Sequence, residues 1–149
     1  MKTENGLSAL VQRNLDVVKF HIENEARDVE SVLGMYTDDV VLEVPGRRLR
    51  FVGRDAIRTN YEAMWSSMAE AQLQPLDRFA TATRVVDDML IRFRLVGPGM
   101  ANAPLAIGSR VEIRLVHHFE MRDGLIACER VFELWRPLDA ASCSELKGS

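Results

Sequence analysis

The chain has 149 residues, of which 47% are hydrophobic, and a formal net charge of -3. This length suits one domain with a substantial core and is short for two, so we predict a single domain over 1–149 with an ordered core at about 8–138. Acidic and basic residues are interspersed without a basic stripe or a charged tail, which argues against nucleic acid as a partner.

The sequence lacks the patterns that direct a chain to a membrane or to secretion. It has no signal-peptide pattern and no stretch of roughly 18 consecutive apolar residues, so we expect a cytoplasmic protein without membrane contacts. Cys128 falls on a predicted strand and Cys143 in a polar tail, and we expect both to be reduced. Three histidines without zinc-binding spacing predict no metal site, and we also expect no cofactor.

Two helices are predicted at the start of the chain. Apolar residues recur at spacings of three and four from about Ser8 to Glu25, which is typical of an amphipathic helix. His21 lies on this helix and is expected at the surface, although it could reach a cavity mouth. Asp28 is placed to cap a second, short helix that continues to Tyr36.

A hairpin and a third helix follow. The strand from Val40 to Val44 is predicted to turn at Pro45-Gly46 into a second strand at 49–52. Arg47 and two neighbouring arginines on this hairpin are expected to form a solvated edge, with attraction of an anionic substrate as the alternative. Asp55 is placed to cap the third helix, and one face of that helix is apolar: Ile57, Tyr61, Met64, Trp65 and Met68.

The second half of the chain reads as strands. We predict a hairpin from about Phe79 to Val96 with a tight turn at Asp87-Asp88. The segment from Gly97 to Gly108 is a long Gly/Pro loop, either a functional rim or a plain surface connection. Residues from Val111 to Trp135 form a last hairpin. The pattern indicates an α+β fold in which three helices cover one face of a meandering antiparallel sheet, and a strongly curved sheet of this kind leaves a conical cavity.

A histidine interrupts the apolar face of the last hairpin. His117 alternates with Leu115 and Phe119 and therefore points inward. A three-residue loop at 122–124 would place His117 opposite Glu129, and a two-residue turn would place it opposite Arg130. In the first register a carboxylate could orient the imidazole and raise its pKa for acid-base work, or the two groups could form a self-satisfied structural pair.

The sequence resembles the ketosteroid isomerase and nuclear transport factor two superfamily, including the SnoaL-like polyketide cyclases. The resemblance rests on the segments 28–30, 35–46, 53–61 and 117–126 and extends from about Leu10 to Trp135. It implies a cone-shaped, cystatin-like α+β barrel whose helices cover the concave face of the sheet. Superfamily members include isomerases, dehydratases, cyclases, epoxide hydrolases and binding proteins, so function rests on individual residues.

Carried over residue by residue, the resemblance implies a pocket whose chemistry has changed. Val44 stands where the isomerases carry their proton-transfer aspartate, and a valine cannot accept a proton. His117 matches a second family aspartate, a protonated oxyanion donor, when one hairpin residue is gapped. Tyr36 and Tyr61 match two pocket tyrosines, and Phe20 stands at the third.

These residues define a candidate site. We expect catalytic roles for four of them: His117, Glu129, Tyr61 and Tyr36. His117 would act as the acid or base, Glu129 would orient it, and the tyrosine hydroxyls would be polar contacts. The alternative for the tyrosines is ordinary core packing. Six others are expected to line the substrate pocket, with Glu133 alternatively an exposed rim residue: Trp65, Phe20, Val44, Phe119, Val131 and Glu133.

The outer face of the sheet predicts a homodimer. His118 alternates to this face beside Val116, Cys128, Phe132 and Leu134, which would form a contiguous apolar patch on a monomer.

The leading hypothesis is a cofactor-independent enzyme that acts on a hydrophobic, cyclic or polyketide-like small molecule by proton transfer next to a carbonyl, as an isomerase, dehydratase or cyclase. The alternative is a non-catalytic small-molecule-binding or assembly module that uses the same cavity, which the valine at position 44 favours. A third hypothesis, an epoxide hydrolase with an Asp-Arg-Asp arrangement, lacks convincing residues.

Overall fold

The computed structural model describes residues 4–138, which form three helices and one six-stranded sheet. The helices are α1 (Glu4–Asn24), α2 (Val29–Leu33) and α3 (Arg54–Ser66). A short 3-10 turn, Pro45–Arg47, connects the first two strands. The strands in chain order are β1 (Tyr36–Val44), β2 (Leu49–Val52), β3 (Met68–Ala80), β4 (Arg84–Leu95), β5 (Arg110–Arg122) and β6 (Leu125–Pro137).

The sheet has the strand order β2-β1-β6-β5-β4-β3. Neighbouring strands are antiparallel except for β1 and β6, which pair in parallel, so the sheet is mixed where we expected only antiparallel pairs. The predicted α+β class, with helices packed against a curved, unclosed sheet, is confirmed. None of the helices in the described range is long and apolar enough to cross a membrane.

The core divides into two hydrophobic clusters. The larger cluster lies between the helices and the sheet, with Val18, Tyr36 and Phe119 among its fully buried members. The smaller cluster lies at the other end of the long strands, where Met100 from the 96–109 loop packs against Ile113 and its neighbours. The loop therefore covers one end of the sheet through a buried side chain.

The helix starts follow local hydrogen bonding. Asp28 caps α2 as predicted, since its carboxylate accepts from the Ser31 amide at 3.2 Å. The predicted cap at Asp55 is wrong. Gly53, with φ 87°, occupies that position, and Asp55 lies in the first turn of α3, where it accepts from Arg58 at 2.6 Å. A carboxylate in the first turn still favours the helix because it faces the positive end of the helix dipole.

The predicted turn at Asp87-Asp88 is also wrong. Both residues lie inside β4, and the chain reverses at 81–83, where the Thr81 hydroxyl accepts from the Arg84 amide at 3.0 Å. Such side-chain-to-backbone bonds stabilise turns. Asp87 lies opposite His117, while Asp88 bonds Arg114 on the outer face. Charged partners across the strand thus outweigh the turn preference of two adjacent aspartates.

Neither predicted register of the last hairpin is correct. A two-residue turn at Asp123-Gly124, both with positive φ, pairs Arg122 with Leu125. The register then shifts by one residue at position 127, because Glu120 pairs with Cys128. A bulge of this kind adds one residue to one strand. His117 therefore lies opposite Val131, rather than Glu129 or Arg130.

Gly124→Ala tests the demands of this turn. Gly124 has φ 74°, and a Cβ there would lie 2.5 Å from Nε of Arg13. We expect the free energy of unfolding to fall by about 1–2 kcal/mol, because alanine is disfavoured at positive φ. Chemical denaturation measures the change. Gly46→Ala is the matched control, since Gly46 has open space around it and an ordinary φ; an equal loss in both variants would contradict the explanation.

Candidate functional site

The inner face of the sheet and α3 enclose a cavity of about 60 Å³, room for several water molecules. Part of the cavity lining is polar, and most of the remaining wall is apolar. Four methionines contribute to this wall: Met64, Met68, Met89 and Met100. Methionine side chains are flexible and repack easily, so this wall is adaptable.

A buried carboxylate lies at the centre of the polar lining. Glu129 is 2% exposed, and its Oε2 accepts from the hydroxyls of Tyr36 at 3.1 Å and Tyr61 at 3.0 Å. The two hydroxyls also contact each other at 2.7 Å. The structure therefore brings together three of the four predicted catalytic residues in one hydrogen-bonded group.

His21 completes this group, against the expectation of a surface histidine. It is fully buried, with Nε2 3.4 Å from Oε1 of Glu129 and 3.1 Å from Oε2 of Glu25. Its Nδ1 lies 3.3 Å from the Tyr36 hydroxyl. Glu25 in turn accepts from the indole N–H of Trp65 at 3.1 Å. The first helix and the turn that follows it therefore deliver a histidine and a carboxylate to the site.

The charges in this group stabilise one another. Burial alone lowers the pKa of His21, but the negative charge of Glu129 and the contacts with Glu25 outweigh burial and raise it. Burial raises the pKa of Glu129, and the His21 cation outweighs that effect and lowers it. Burial beside Glu129 raises the pKa of Tyr36 and of Tyr61. The group thus contains an ion pair and two protonated hydroxyls.

His117 has a different carboxylate partner from the expected one. Its Nδ1 lies 3.5 Å from Oδ2 of Asp87, which is buried and also accepts from Nε of Arg78 at 2.7 Å. Burial lowers the pKa of His117, but Asp87 and the charge of Glu129 outweigh it and raise the pKa. His117 lines the cavity and stacks on Phe119. Asp87, not Glu129, is therefore the carboxylate that Nδ1 of His117 faces.

A second buried ion pair lines the cavity. Arg47 donates from Nε to Oε1 of Glu133 at 2.8 Å and from Nη2 to Oε2 at 3.2 Å, and both side chains are 5% exposed. The indole N–H of Trp135 also donates to Glu133, at 3.0 Å. Arg47 is therefore not part of a solvated edge, and Glu133 is not an exposed rim residue.

A comparison with known protein families gives a match over most of this framework. Residues 17–129 match the SnoaL-like domain. The chain belongs to the SnoaL-like domain family. This family and its cone-shaped α+β barrel are those that the sequence resemblance predicted. A search of curated proteins found no match.

Solved structures that resemble this SnoaL-like protein are described in different terms. A phenazine biosynthesis-related protein from Pseudomonas aeruginosa is 15% identical, with a TM-score of 0.72 over 90% of this chain and 82% of its own. SalBIII, an epoxide hydrolase/cyclase-like enzyme of pyran ring formation in salinomycin, is 21% identical, with a TM-score of 0.66 over 83% and 92%. An LEH-like epoxide hydrolase from M. tuberculosis is 20% identical, with a TM-score of 0.63 over 83% and 84%. At these identities the likeness shows the fold alone.

The expected pocket residues of the SnoaL-like chain divide into two groups. Those on the cavity wall are Trp65, Val44, Val131 and Glu133. Phe20 and Phe119 instead pack in the larger core cluster around the site, outside the wall.

Sequence reasoning missed three polar residues of the site. Asp87 was assigned to a turn, His21 was expected at the helix surface, and Glu25 was named only as the approximate end of the first helix. The four-residue spacing of His21 and Glu25 places them on one helix face and was the available signal. Among residues 4–138 no group of three or more histidine, cysteine or acidic side chains is arranged to hold a metal ion.

Glu129→Gln tests the buried ion pair. The variant keeps the shape of the side chain but leaves the His21 cation without its main partner, so we expect the free energy of unfolding to fall by about 3–5 kcal/mol. The pair contributes fully between pH 4.5 and 6.5, the ordinary pKa values of the two groups. Its contribution is lost as pH rises through the raised pKa of His21, or falls through the lowered pKa of Glu129.

Urea denaturation of wild type and variant across this pH range measures the difference. Glu23→Gln is the control, because Glu23 pairs with Lys19 on the exposed face of the same helix at 3.8 Å. It should change stability little at any pH. A loss in Glu129→Gln that is constant from pH 4 to pH 9 would contradict the assigned ion pair.

Proposed function

We propose that the protein is a cofactor-independent enzyme that acts on a hydrophobic, cyclic or polyketide-like small molecule by proton transfer next to a carbonyl. The observation that carries this proposal is the position of His117 on the cavity wall, with buried Asp87 at its Nδ1. A histidine oriented by a carboxylate and open to an apolar cavity is suited to general acid-base work.

The free nitrogen of His117 supports this role. No hydrogen bond or ion pair engages Nε2 among the described residues, whereas Nδ1 lies at an ion-pair distance of 3.5 Å from Oδ2 of Asp87, without hydrogen-bond geometry. A ring that turns its protonated Nδ1 to Asp87 presents the lone pair of Nε2 to the cavity. In the proposed reaction Nε2 removes the proton from the carbon beside the carbonyl, the electron pair moves to the carbonyl oxygen, and the proton later returns to carbon or oxygen.

Tyr61 is the proposed donor to the developing oxyanion. It lines the cavity, and its raised pKa keeps the hydroxyl protonated. Tyr36 and Tyr61 share one oxygen of Glu129, so Tyr61 can turn to a ligand while Tyr36 and His21 still hold the carboxylate. Glu129 has a lowered pKa, which makes it a weak base and assigns it to holding the tyrosines in place.

Deuterium exchange in β-tetralone, a cyclic ketone, tests this proposal without knowledge of the native substrate. The protein should accelerate exchange at the carbon beside the carbonyl, followed by NMR in deuterated water. His117→Gln should slow the catalysed exchange by about a hundredfold or more, the usual contribution of a general base. In Asp87→Asn the acid limb of the pH profile should move to lower pH, because the charge that raises the pKa of His117 is gone.

His118→Gln is the matched control, since His118 is the next residue on the same strand but faces outward. It should leave the exchange rate unchanged. Thermal melting followed by circular dichroism checks that every variant is folded. The proposal would be contradicted by an undiminished exchange rate in folded His117→Gln, or by a wild-type protein that does not accelerate the exchange.

A non-catalytic binding module is the second candidate, and one observation favours it. The polar groups around Glu129 satisfy one another without a ligand, as expected of a structural network that takes no part in a reaction. The epoxide hydrolase hypothesis stays weak. No aspartate is among the residues that line the cavity in the described range, and Arg47, on its wall, is paired with Glu133.

We also propose that the protein is a homodimer that packs through the outer face of the sheet, the face opposite the helices. On this face Phe132 is 48% exposed and Leu134 is 73% exposed, and Phe132 lies beside Val116. The same face also carries ion pairs such as Arg114 with Asp88 at 2.6 Å, so it is more charged than its apolar pattern suggested. An exposed apolar centre with a charged surround is typical of protein interfaces.

A double variant, Phe132→Asp/Leu134→Asp, tests the dimer. Two carboxylates at the centre of the interface should convert the dimer to a folded monomer, because like charges would face each other across a two-fold axis. Analytical ultracentrifugation measures the mass. Leu7→Asp, at an exposed position on α1, should leave the dimer intact. A wild-type protein that is monomeric at all concentrations would contradict the proposal.

The proposed location is the cytoplasm. Cys128 is a free, buried thiol, whereas Cys143 lies outside the described residues. An unpaired thiol is typical of a reducing compartment.

A further inference from the structure

Two buried carboxylates point from the same strand into the cavity. Glu129 and Glu133 are four residues apart on the inner face of β6, which separates their backbones by about 13 Å. Val131 lies between them and pairs with His117. A ligand lying along β6 would therefore meet a polar group, an apolar stretch beside His117, and a second polar group.

The second polar group has unused hydrogen-bonding capacity. Arg47 donates three N–H groups, two to Glu133 and one from Nη1 to the carbonyl oxygen of Ala101 at 2.9 Å. A guanidinium has five, so two remain. Glu133 accepts three bonds, two from Arg47 and one from Trp135, and a carboxylate can accept about four. The pair thus offers both donors and an acceptor.

The charge of the pair decides what it can bind. Arg47 and Glu133 neutralise each other, so an added carboxylate would be repelled by Glu133 and an added ammonium by Arg47. A hydroxyl fits both partners, because its oxygen can accept from Arg47 while its hydrogen is donated to Glu133. A buried ion pair adds little net stability, so its place on a cavity wall is better explained by ligand recognition.

We propose that Arg47 and Glu133 form a second subsite, which binds a neutral hydroxyl group at the far end of an elongated and otherwise apolar ligand. The subsite deepens the proposed function, because that function places the reacting end of the ligand beside His117 and Tyr61. The ligand class is a ring compound with oxygen functions at both ends. Because such a compound is larger than the cavity of about 60 Å³, its binding requires the flexible methionine side chains of the wall to move.

Three biphenyl probes test the subsite by isothermal titration calorimetry on the full chain. One bears a single para hydroxyl, the second a para hydroxyl on each ring, and the third a hydroxyl on one ring and a carboxylate on the other. The dihydroxy probe should bind about tenfold more tightly than the monohydroxy probe, as expected for a charge-assisted hydrogen bond. The carboxylate probe should bind no more tightly than the monohydroxy probe.

The preference for the second hydroxyl should disappear in Arg47→Met/Glu133→Met, which removes both charges together and leaves no unpaired one. Arg47→Lys should reduce the preference while keeping the charge, since an ammonium lacks the planar fork of the guanidinium. Arg58→Met/Glu30→Met is the matched control, because that pair lies on the helix surface and should not affect the preference.

Four results would each overturn the subsite. With wild type these are equal binding of the monohydroxy and dihydroxy probes, no binding of either, and tighter binding of the carboxylate probe. The fourth is a preference for the second hydroxyl that survives in the folded double variant. The proposed function fails separately. A protein that prefers the second hydroxyl but does not exchange deuterium into β-tetralone has the subsite without the catalysis.

Discussion

The site depends on one constraint, the burial of an ionised carboxylate in an apolar cone. Glu129 would destabilise the fold if it stood alone, because an unpaired charge in a low-dielectric interior is expensive. Its compensation comes from three separate elements: His21 on α1, Tyr36 on β1 and Tyr61 on α3. The carboxylate therefore couples helix packing to the sheet, and the same contacts that hold the fold position the Tyr61 hydroxyl at the cavity.

The electrostatics divide the cavity wall into two acid-base environments. Glu129 is held as an anion by a cation and two hydroxyls, so its proton affinity is low. His117 has a single carboxylate on one side and an unengaged nitrogen on the other, so its proton affinity is raised while it stays available. When the surroundings of two neighbouring groups shift their pKa values in opposite directions, the groups can take different roles. One keeps a fixed protonation state while the other exchanges its proton.

Much of the fold followed from periodicity. The first helix, the capped second helix and the last two strands were predicted because apolar spacing reports burial on each face. The alternation of β5 also placed His117 inside correctly. The predicted turn at Asp87-Asp88 was wrong because composition cannot show that Asp87 pairs with a histidine and an arginine on the neighbouring strands.

It was harder to predict which residues of the site pair with one another than to predict which residues belong to it. Tyr36, Tyr61 and Glu129 were named from the resemblance and the alternation, but His21 lies 108 residues before Glu129 in the chain, and only the folded topology joins them. Arg47 looked like one of several surface arginines, because nothing local distinguishes a buried guanidinium from an exposed one. Long-range ion pairs are therefore the part that a single sequence conceals.

The one-residue shift at position 127 has a consequence for how this chain can change. On β6 the residues that face the cavity and those that form the outer face alternate, so one strand carries both surfaces in opposite phase. If the same residues paired without this bulge, the two sets would exchange faces, sending Arg130 and Phe132 inward and Glu129 to the outside. Cavity and outer surface can thus diversify by substitution within β6, whereas a change of length there alters both at once.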